Sequence, residues 1–80
     1  MTPEELAALS AALHTTPMGE ERIRRNAAPD AKDVIAWCRA RLRSPDAVFE
    51  RRGKNIYVTA DGCTLTINAG SRTVITAHRQ

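Results

Sequence analysis

The chain has 80 residues, a formal net charge of +3 at pH 7, two cysteines and two histidines. A chain of this size forms one small domain, which buries only about 60 to 70% of the surface that its unfolded form exposes. No apolar stretch approaches the ~20 residues needed to cross a bilayer, and the first fifteen residues lack the pattern of a signal peptide. We therefore expect a single domain over residues 1–80 that is cytoplasmic and has no membrane partner.

Charge is divided unevenly along the chain. Residues 1–38 contain four basic and six acidic side chains, a balance of −2, whereas residues 39–80 contain eight basic and three acidic, a balance of +5. A basic cluster attracts phosphates through an electrostatic term that does not depend on sequence. The alternative is a solvated cationic surface whose helix-terminal arginines suit the helix dipole. The cluster comprises Arg39, Arg41, Arg43, Arg51, Arg52 and Lys54.

Two helix start signals lie in the first twenty residues. Residues 2–5 read Thr-Pro-Glu-Glu, which combines a threonine cap, a proline in the first turn and a glutamate three residues after the cap. Leucines then recur at helical spacing. A second signal, Thr16-Pro17, predicts a helix that ends near residues 25–26, with Met18 and Ile23 as its buried contacts.

A third start signal, Asp30 with Asp33 three residues later, predicts a helix from residue 31 to about residue 43. Its apolar stripe carries Val34, Ile35, Cys38 and Leu42, with Trp37 at the edge of that stripe. Cys38 and Cys63 are both predicted to be buried thiols. No spacing of cysteine and histidine resembles a zinc site, so we predict no metal and no cofactor.

The pattern of residues 54–78 predicts three short strands, each with one apolar and one polar face. In residues 55–60 and 63–68 the apolar side chains fall on alternate positions, which is the period of a half-buried strand. The turn pair Asp61-Gly62 fixes the register, so residue 58 faces 65 and residue 56 faces 67. The expected core side carries Ile56, Val58, Ala60, Cys63, Leu65 and Ile67. The expected polar face carries Asn55, Tyr57, Thr59, Thr64, Thr66 and Asn68.

A fourth strand is predicted over residues 47–52, before these three. If Arg52-Gly53 forms the loop that follows it, Phe49 faces Ile56 on the core side. The predicted fold class is therefore α+β, with two or three N-terminal helices packed on one face of a four-stranded antiparallel β-meander.

The last hairpin has two possible registers. If Ala69-Gly70 alone forms the loop, Val74 and Thr76 turn inward. If Ser71 joins a three-residue loop with a bulge, the inward residues become Ile75 and Ala77, and the polar face gains three side chains: Arg72, Thr76 and His78. We favour the second register because the first would expose Ile75 and bury Arg72.

Five segments are distinctive as a set: HTTPMG at residues 14–19, RIRRN at 22–26, VIAWC at 34–38, GKNIYVT at 53–59 and TVITAH at 73–78. Over roughly residues 12–78 this set resembles a family of short bacterial proteins classed as a domain of unknown function, and membership implies no established activity. Helices followed by a four-stranded antiparallel sheet with a basic, polar face also resemble the barnase, EndoU, colicin and RelE-like ribonucleases, many of them toxins. That second resemblance implies RNA cleavage without a metal.

Cleavage of this kind needs a general base, a general acid and cations that hold the phosphate. The predicted catalytic residues are His14 and His78, the two histidines, together with Lys54. The predicted substrate-binding residues are Arg22, Arg25 and Arg72 for phosphate, Tyr57 for stacking, and Thr59, Thr66, Thr76 and Asn68 for sugar or base edges. The alternative for His14 is a helix-terminal histidine.

Three functions remain open at this point. The first is a small toxin-like domain that cleaves RNA. The second is a non-catalytic module that binds RNA or another anionic ligand on the polar face. The third is a protein-interaction module of a phage or toxin–antitoxin system, which pairs with a protein partner or as a homodimer through a strand edge or sheet face. Scattered carboxylates disfavour a metalloenzyme.

Overall fold

The computed structural model describes residues 1–80 as three helices and five strands. The helices are α1 (Pro3–Ala12), α2 (Pro17–Asn26) and α3 (Val34–Leu42). The strands are β1 (His14–Thr15), β2 (Val48–Arg52), β3 (Asn55–Ala60), β4 (Cys63–Asn68) and β5 (Thr73–Arg79). This arrangement confirms the α+β fold class. None of the three helices has the length and apolar character needed to span a membrane.

The sheet is five-stranded and mixed, with the order β1-β5-β4-β3-β2. The antiparallel meander is present as β2 to β5, but the prediction of four strands was incomplete. β1 pairs in parallel with β5, with His14 opposite Thr73 and Thr15 opposite Val74. A two-residue strand has no alternation that a sequence could display, so only the contact with β5 defines it. His14 therefore belongs to an edge strand, and it also lies at the end of α1, directly after the C-cap Leu13.

Threonine and aspartate caps begin the helices. Thr2 and Glu5 form a reciprocal capping box at α1, in which Thr2 Oγ1 accepts the Glu5 N–H at 3.1 Å. Thr16 Oγ1 accepts the Gly19 N–H at 3.0 Å at α2. The predicted third start was wrong: α3 begins after Asp33, whose carboxylate accepts the Ala36 N–H at 2.9 Å. The chain before it is held out of helix because Arg24 donates to two of its backbone carbonyls, at residues 31 and 32.

The helices cover the apolar face of the sheet. The fourteen-residue core cluster includes Leu9, Leu13, Ile23, Val34, Cys38, Leu42, Val58, Cys63, Leu65, Ile67, Val74 and Ala77. Ile35, Trp37 and Ile56 are only partly buried against it. Met18 was predicted to be buried but is 62% exposed. α2 meets the sheet through Gly19 and Ile23, which lie one helical turn apart, and Met18 points away from that side.

The hairpin between β3 and β4 has the predicted register, with Val58 opposite Leu65. Asp61 and Gly62 both have positive φ, at 52° and 74°. The β2–β3 loop was predicted wrongly. It consists of Gly53 and Lys54, so Phe49 lies opposite Val58 and not Ile56. The displacement is two residues, so Phe49 still faces the core.

The last hairpin combines features of both predicted registers. Val74 is fully buried and lies opposite Ile67, whereas Thr76 lies opposite Thr66, which leaves Ile75 as a bulge. The favoured register was therefore wrong in placing Ile75 inward. Beyond the bulge it was right, because Ala77 is buried and the side chains of Thr76 and His78 join the polar face.

Candidate functional site

The polar residues of β2 to β5 lie on the face of the sheet that the helices leave uncovered, here called the open face. Strand register arranges them in rows across the sheet. The central row contains Glu50, Tyr57, Thr66 and Thr76. The flanking rows contain Arg52, Asn55 and Asn68 on one side and Val48, Thr59, Thr64 and His78 on the other.

Arg52 and Tyr57 form a stacked pair on the open face. The Arg52 guanidinium carbon lies 4.2 Å from the centroid of the Tyr57 ring. Arg52 also lies near Glu50, with 3.6 Å between Nε and Oε2, and both side chains are 63% exposed. Sequence reasoning placed Arg52 in the basic cluster but not in the site. The signal that could have found it was Gly53, because a loop that begins there puts Arg52 in register with Asn55.

Three cations gather at one end of the open face because the β2–β3 and β4–β5 turns lie at that end. Arg52, Lys54 and Arg72 form this group, here called the cationic end. The Ala69 N–H donates to the Lys54 carbonyl at 2.8 Å and ties the two turns together. Arg72 lies in the turn and not in a strand, with φ at 61°.

The opposite end of the sheet carries charges of both signs. Ser44 Oγ lies 2.5 Å from Asp46 Oδ1 and 2.9 Å from Asp61 Oδ1. The Ser44 hydroxyl, and after it the Asp61 N–H, hold the pKa of Asp46 below its usual value. Arg41 Nε lies 2.9 Å from Asp61 Oδ2 and balances part of this charge. Arg79, opposite Cys63 at the end of β5, is a second cation at this end.

His14 is held beside the cationic end by a chain of hydrogen bonds. Its Nδ1 lies 2.9 Å from the Ala12 carbonyl oxygen, which can only accept, so Nδ1 carries the proton of the neutral ring. Nε2 is then the acceptor for the Thr73 hydroxyl at 3.0 Å, and Thr73 Oγ1 lies 2.7 Å from Ser71 Oγ. Because Val74 is buried, its neighbour Thr73 and the paired His14 face the open side.

His78 lies far from His14. It is exposed near the other end of β5, opposite Thr64, while His14 lies opposite Thr73. Five residues of strand separate those positions, which corresponds to about 16 Å. A single phosphodiester cannot contact both imidazoles at that separation, so the structure does not bring the two predicted catalytic histidines together.

Arg22 and Arg25 lie outside the open face. Both are exposed on α2, which packs against β5 on the core side through Ile23. Arg25 NH1 lies 3.4 Å from Glu21 Oε1 in an exposed ion pair. Of the predicted binding residues, the register places Tyr57, Thr59, Thr66, Asn68 and Thr76 on the open face.

The two cysteines lie away from the open face. Cys38 and Cys63 are free and buried in the core. Burial raises the pKa of the Cys38 thiol to about 12. No three His, Cys, Asp or Glu side chains lie together in a group that could hold a metal ion.

Comparison with known proteins gives one match. A family model described as "Protein of unknown function (DUF3781)" matches residues 8–78, which include both turns of the cationic end and all of β1 to β4. No curated protein and no solved structure matches the chain, so the resemblance to ribonucleases finds no support there. Because this family model covers most of the chain, the chain belongs to the DUF3781 family.

Proposed function

We propose that the open face binds single-stranded RNA, with bases stacked on the Arg52–Tyr57 pair and phosphates held by the cationic end. The observation that carries this proposal is the stacked pair itself, 4.2 Å apart on an uncovered sheet face where the remaining β3 and β4 side chains are hydroxyls and amides. Unpaired bases are recognised by stacking on aromatic rings and on arginine guanidinium planes. A guanidinium lying over a ring offers its outer face to a base, and the ring beneath holds that face in position.

The distribution of charge predicts how the RNA lies on the open face. Lys54 and Arg72 flank the row of Arg52, Asn55 and Asn68, while the carboxylates of Asp46 and Asp61 occupy the far end. Phosphates gain more from the first end, where neither turn contains a carboxylate, than from the second, where Arg41 and Arg79 offset the two carboxylates. The strand of RNA would therefore lie with its backbone along the two turns and its bases over the central row.

The positions of the histidines support binding more than cleavage. A base and an acid must both reach the scissile phosphate, yet His14 and His78 lie about 16 Å apart along β5. His14 lies beside the cationic end, where its Nε2 already accepts the Thr73 hydroxyl. Its role in this proposal is to position Thr73 and Ser71 at the rim of the site.

The test uses two double variants that each remove two positive charges. Lys54→Ala with Arg72→Ala removes two of the three cations of the cationic end, whereas Arg22→Ala with Arg25→Ala removes the same charge from α2. Fluorescence anisotropy with labelled RNA, in EDTA and over a salt series, should show the first variant at least about tenfold weaker. Its salt slope should fall by about 1.4, because two phosphate contacts are lost. The α2 variant should bind within about twofold of the unaltered protein. Equal losses in the two variants would reduce the binding to net charge and refute the site.

Tyr57 supplies the second arm of the test. Tyr57→Phe keeps the ring and should bind within about twofold of the unaltered protein. Tyr57→Ala removes it and should cost about 1 to 3 kcal/mol of binding free energy. The same samples run on a denaturing gel report cleavage. Scission that survives EDTA and is lost in His14→Ala would show that the face cleaves RNA and does not only bind it.

A further inference from the structure

One edge of the sheet is open along a full strand. β2 has a neighbour only on its β3 side, and four of its five residues are exposed. Val48, an apolar residue, is 63% exposed on this strand. The other edge, β1, is only two residues long and offers almost no backbone for pairing. An unpaired strand of this length is a template for another strand.

The β2–β3 hairpin determines which backbone groups face outward. Arg52 and Asn55 flank the two-residue loop and face each other. Flanking residues of such a loop exchange hydrogen bonds, and bonding then alternates along the strand. Residues 48, 50 and 52 bond to β3, so the N–H and C=O groups of Phe49 and Arg51 point out from the edge. A strand added here can form backbone hydrogen bonds with Phe49, with Arg51 or with both.

Charge selects the added strand and its register. We propose that β2 pairs antiparallel with β2 of a second copy of this chain, with Arg51 on the two-fold axis and Glu50 opposite the second copy's Arg52. Two copies related this way keep their open faces on one side, because Glu50 and Arg52 both belong to that face. Symmetry makes the ion pair twice, once on each side of the axis.

The neighbouring register makes no ion pair. Shifting the axis to Glu50 keeps the backbone pairing but sets Glu50 against its own copy and Val48 against Arg52. Like charges directly opposite each other destabilise a sheet, and each register has one such pair on its axis, Arg51 or Glu50. Only the proposed register also gains two ion pairs. In the proposed register Glu50 and Arg52 form a non-hydrogen-bonded pair, the kind in which side chains come closest. Within one chain Arg52 Nε and Glu50 Oε2 lie 3.6 Å apart, and both side chains are 63% exposed. Both groups can therefore also contact a second copy.

Arg51 on the axis is compatible with this pairing. Its Nε donates to the Gly53 carbonyl of its own chain at 2.6 Å. The guanidinium therefore leans along the strand toward the turn, and the two copies lean in opposite directions away from the axis. The resulting sheet has ten strands and joins two open faces, a consequence that does not depend on whether the face binds RNA.

Charge reversal tests both the partner and the register. Sedimentation velocity of the protein alone, over a wide range of concentration, should show a monomer–dimer equilibrium. Glu50→Arg and Arg52→Glu each create two like-charge pairs and should weaken the dimer about tenfold or more. The double variant Glu50→Arg with Arg52→Glu restores opposite charges and should restore the dimer. The matched control is Glu21→Arg with Arg25→Glu, an exposed ion pair on α2, and it should leave the equilibrium unchanged.

Circular dichroism of every variant checks that the exposed substitutions leave the fold intact. Dimerisation that is lost in both single variants and regained in the double variant supports the proposal. A protein that stays monomeric at every concentration overturns it. Single variants that dimerise as well as the unaltered chain, or a double variant that stays monomeric, overturn the register and with it the proposal.

Discussion

Gly19 of α2 packs so closely against Thr15 of β1 that a Cβ atom at residue 19 would overlap Oγ1 of Thr15. It would also lie 3.0 Å from the Val74 carbonyl oxygen, which accepts the Thr15 hydroxyl at 2.7 Å. This contact sets the distance between the helical layer and the edge of the sheet.

We expect Gly19→Ala to destabilise the protein by about 1 to 2 kcal/mol. Alanine normally gains about 1 kcal/mol over glycine within a helix, but overpacking here costs about 1 to 3 kcal/mol and disturbs the Thr15 hydrogen bond. Urea unfolding measures the change. The double variant Thr15→Ala with Gly19→Ala removes the overlapping oxygen, so its loss should be smaller than the sum of the two single losses. Strict additivity would contradict the overlap.

Truncation to alanine should lower the free energy of unfolding strongly at Ile23 and hardly at all at Met18. Ile23 is fully buried, and Ile23→Ala should lower the free energy of unfolding by about 2 to 5 kcal/mol. Met18 is 62% exposed, so Met18→Ala should change the free energy of unfolding by less than about 0.5 kcal/mol. Thermal and urea melts of both variants make the comparison. A large effect at Met18 would mean that α2 is rotated from the orientation described.

Cys38 should make the protein less stable at alkaline pH. Burial raises the pKa of its thiol from 9.0 to about 12, so between these values the unfolded chain has released a proton that the folded chain retains. The free energy of unfolding should therefore fall as pH rises through this window, by about 1.4 kcal/mol per pH unit from this group. Urea titrations at several alkaline pH values measure the slope. Cys38→Ala should remove this part of the slope, and an unchanged slope would contradict the assignment.

Asp46 should contribute to stability at neutral pH and lose that contribution in acid. Its pKa is held below 3.8 by the Ser44 hydroxyl and the Asp61 N–H, so the contribution is complete above that value and disappears as pH falls through the folded-state pKa. Asp46→Asn should therefore lower the urea midpoint at neutral pH and converge with the unaltered protein in strong acid. Asp30→Asn, at an exposed carboxylate, is the control. A constant difference at all pH values would contradict the mechanism.

Replacing Arg72 with glycine should stabilise the fold and weaken ligand binding. It has φ at 61°, a left-handed conformation that costs a non-glycine residue about 1 to 2 kcal/mol. Arg72→Gly should raise the free energy of unfolding by about 1 kcal/mol and, on the proposed function, weaken RNA binding. Urea unfolding and anisotropy measure the two effects separately. Asp61→Gly, at the other non-glycine residue with positive φ, removes no cation and should not weaken binding.

Much of the fold was predictable from local chemistry. The threonine caps at residues 2 and 16 and the Asp61-Gly62 turn act within a few residues, so their signals are complete in the sequence. Strict alternation in β3 and β4 likewise predicted which side chains share the open face. Asp30 was mistaken for a cap because Arg24, seven residues before Ala31, holds that segment out of helix.

The candidate site was less predictable because it depends on register and on neighbours distant in the chain. The position of the β2–β3 loop, uncertain by one residue, determined whether Arg52 shares the open face with Tyr57. A bulge at Ile75 determined which side chains of β5 lie on that face. His14 reached the rim of the site only through pairing with Thr73, 59 residues later. No local pattern could have shown that His78 lies at the end of β5 opposite to the end that pairs with His14.

By itself the sequence determined the helix starts, the tight turn at Asp61-Gly62 and the division of two strands into an apolar and a polar face. These follow from backbone preferences and from side-chain periodicity, which act over a few residues. Tertiary structure alone decided that β1 exists, that the histidines are separated and that the cations collect at one end of the sheet. Those outcomes depend on which strands lie side by side, and the burial of the core as a whole selects that order.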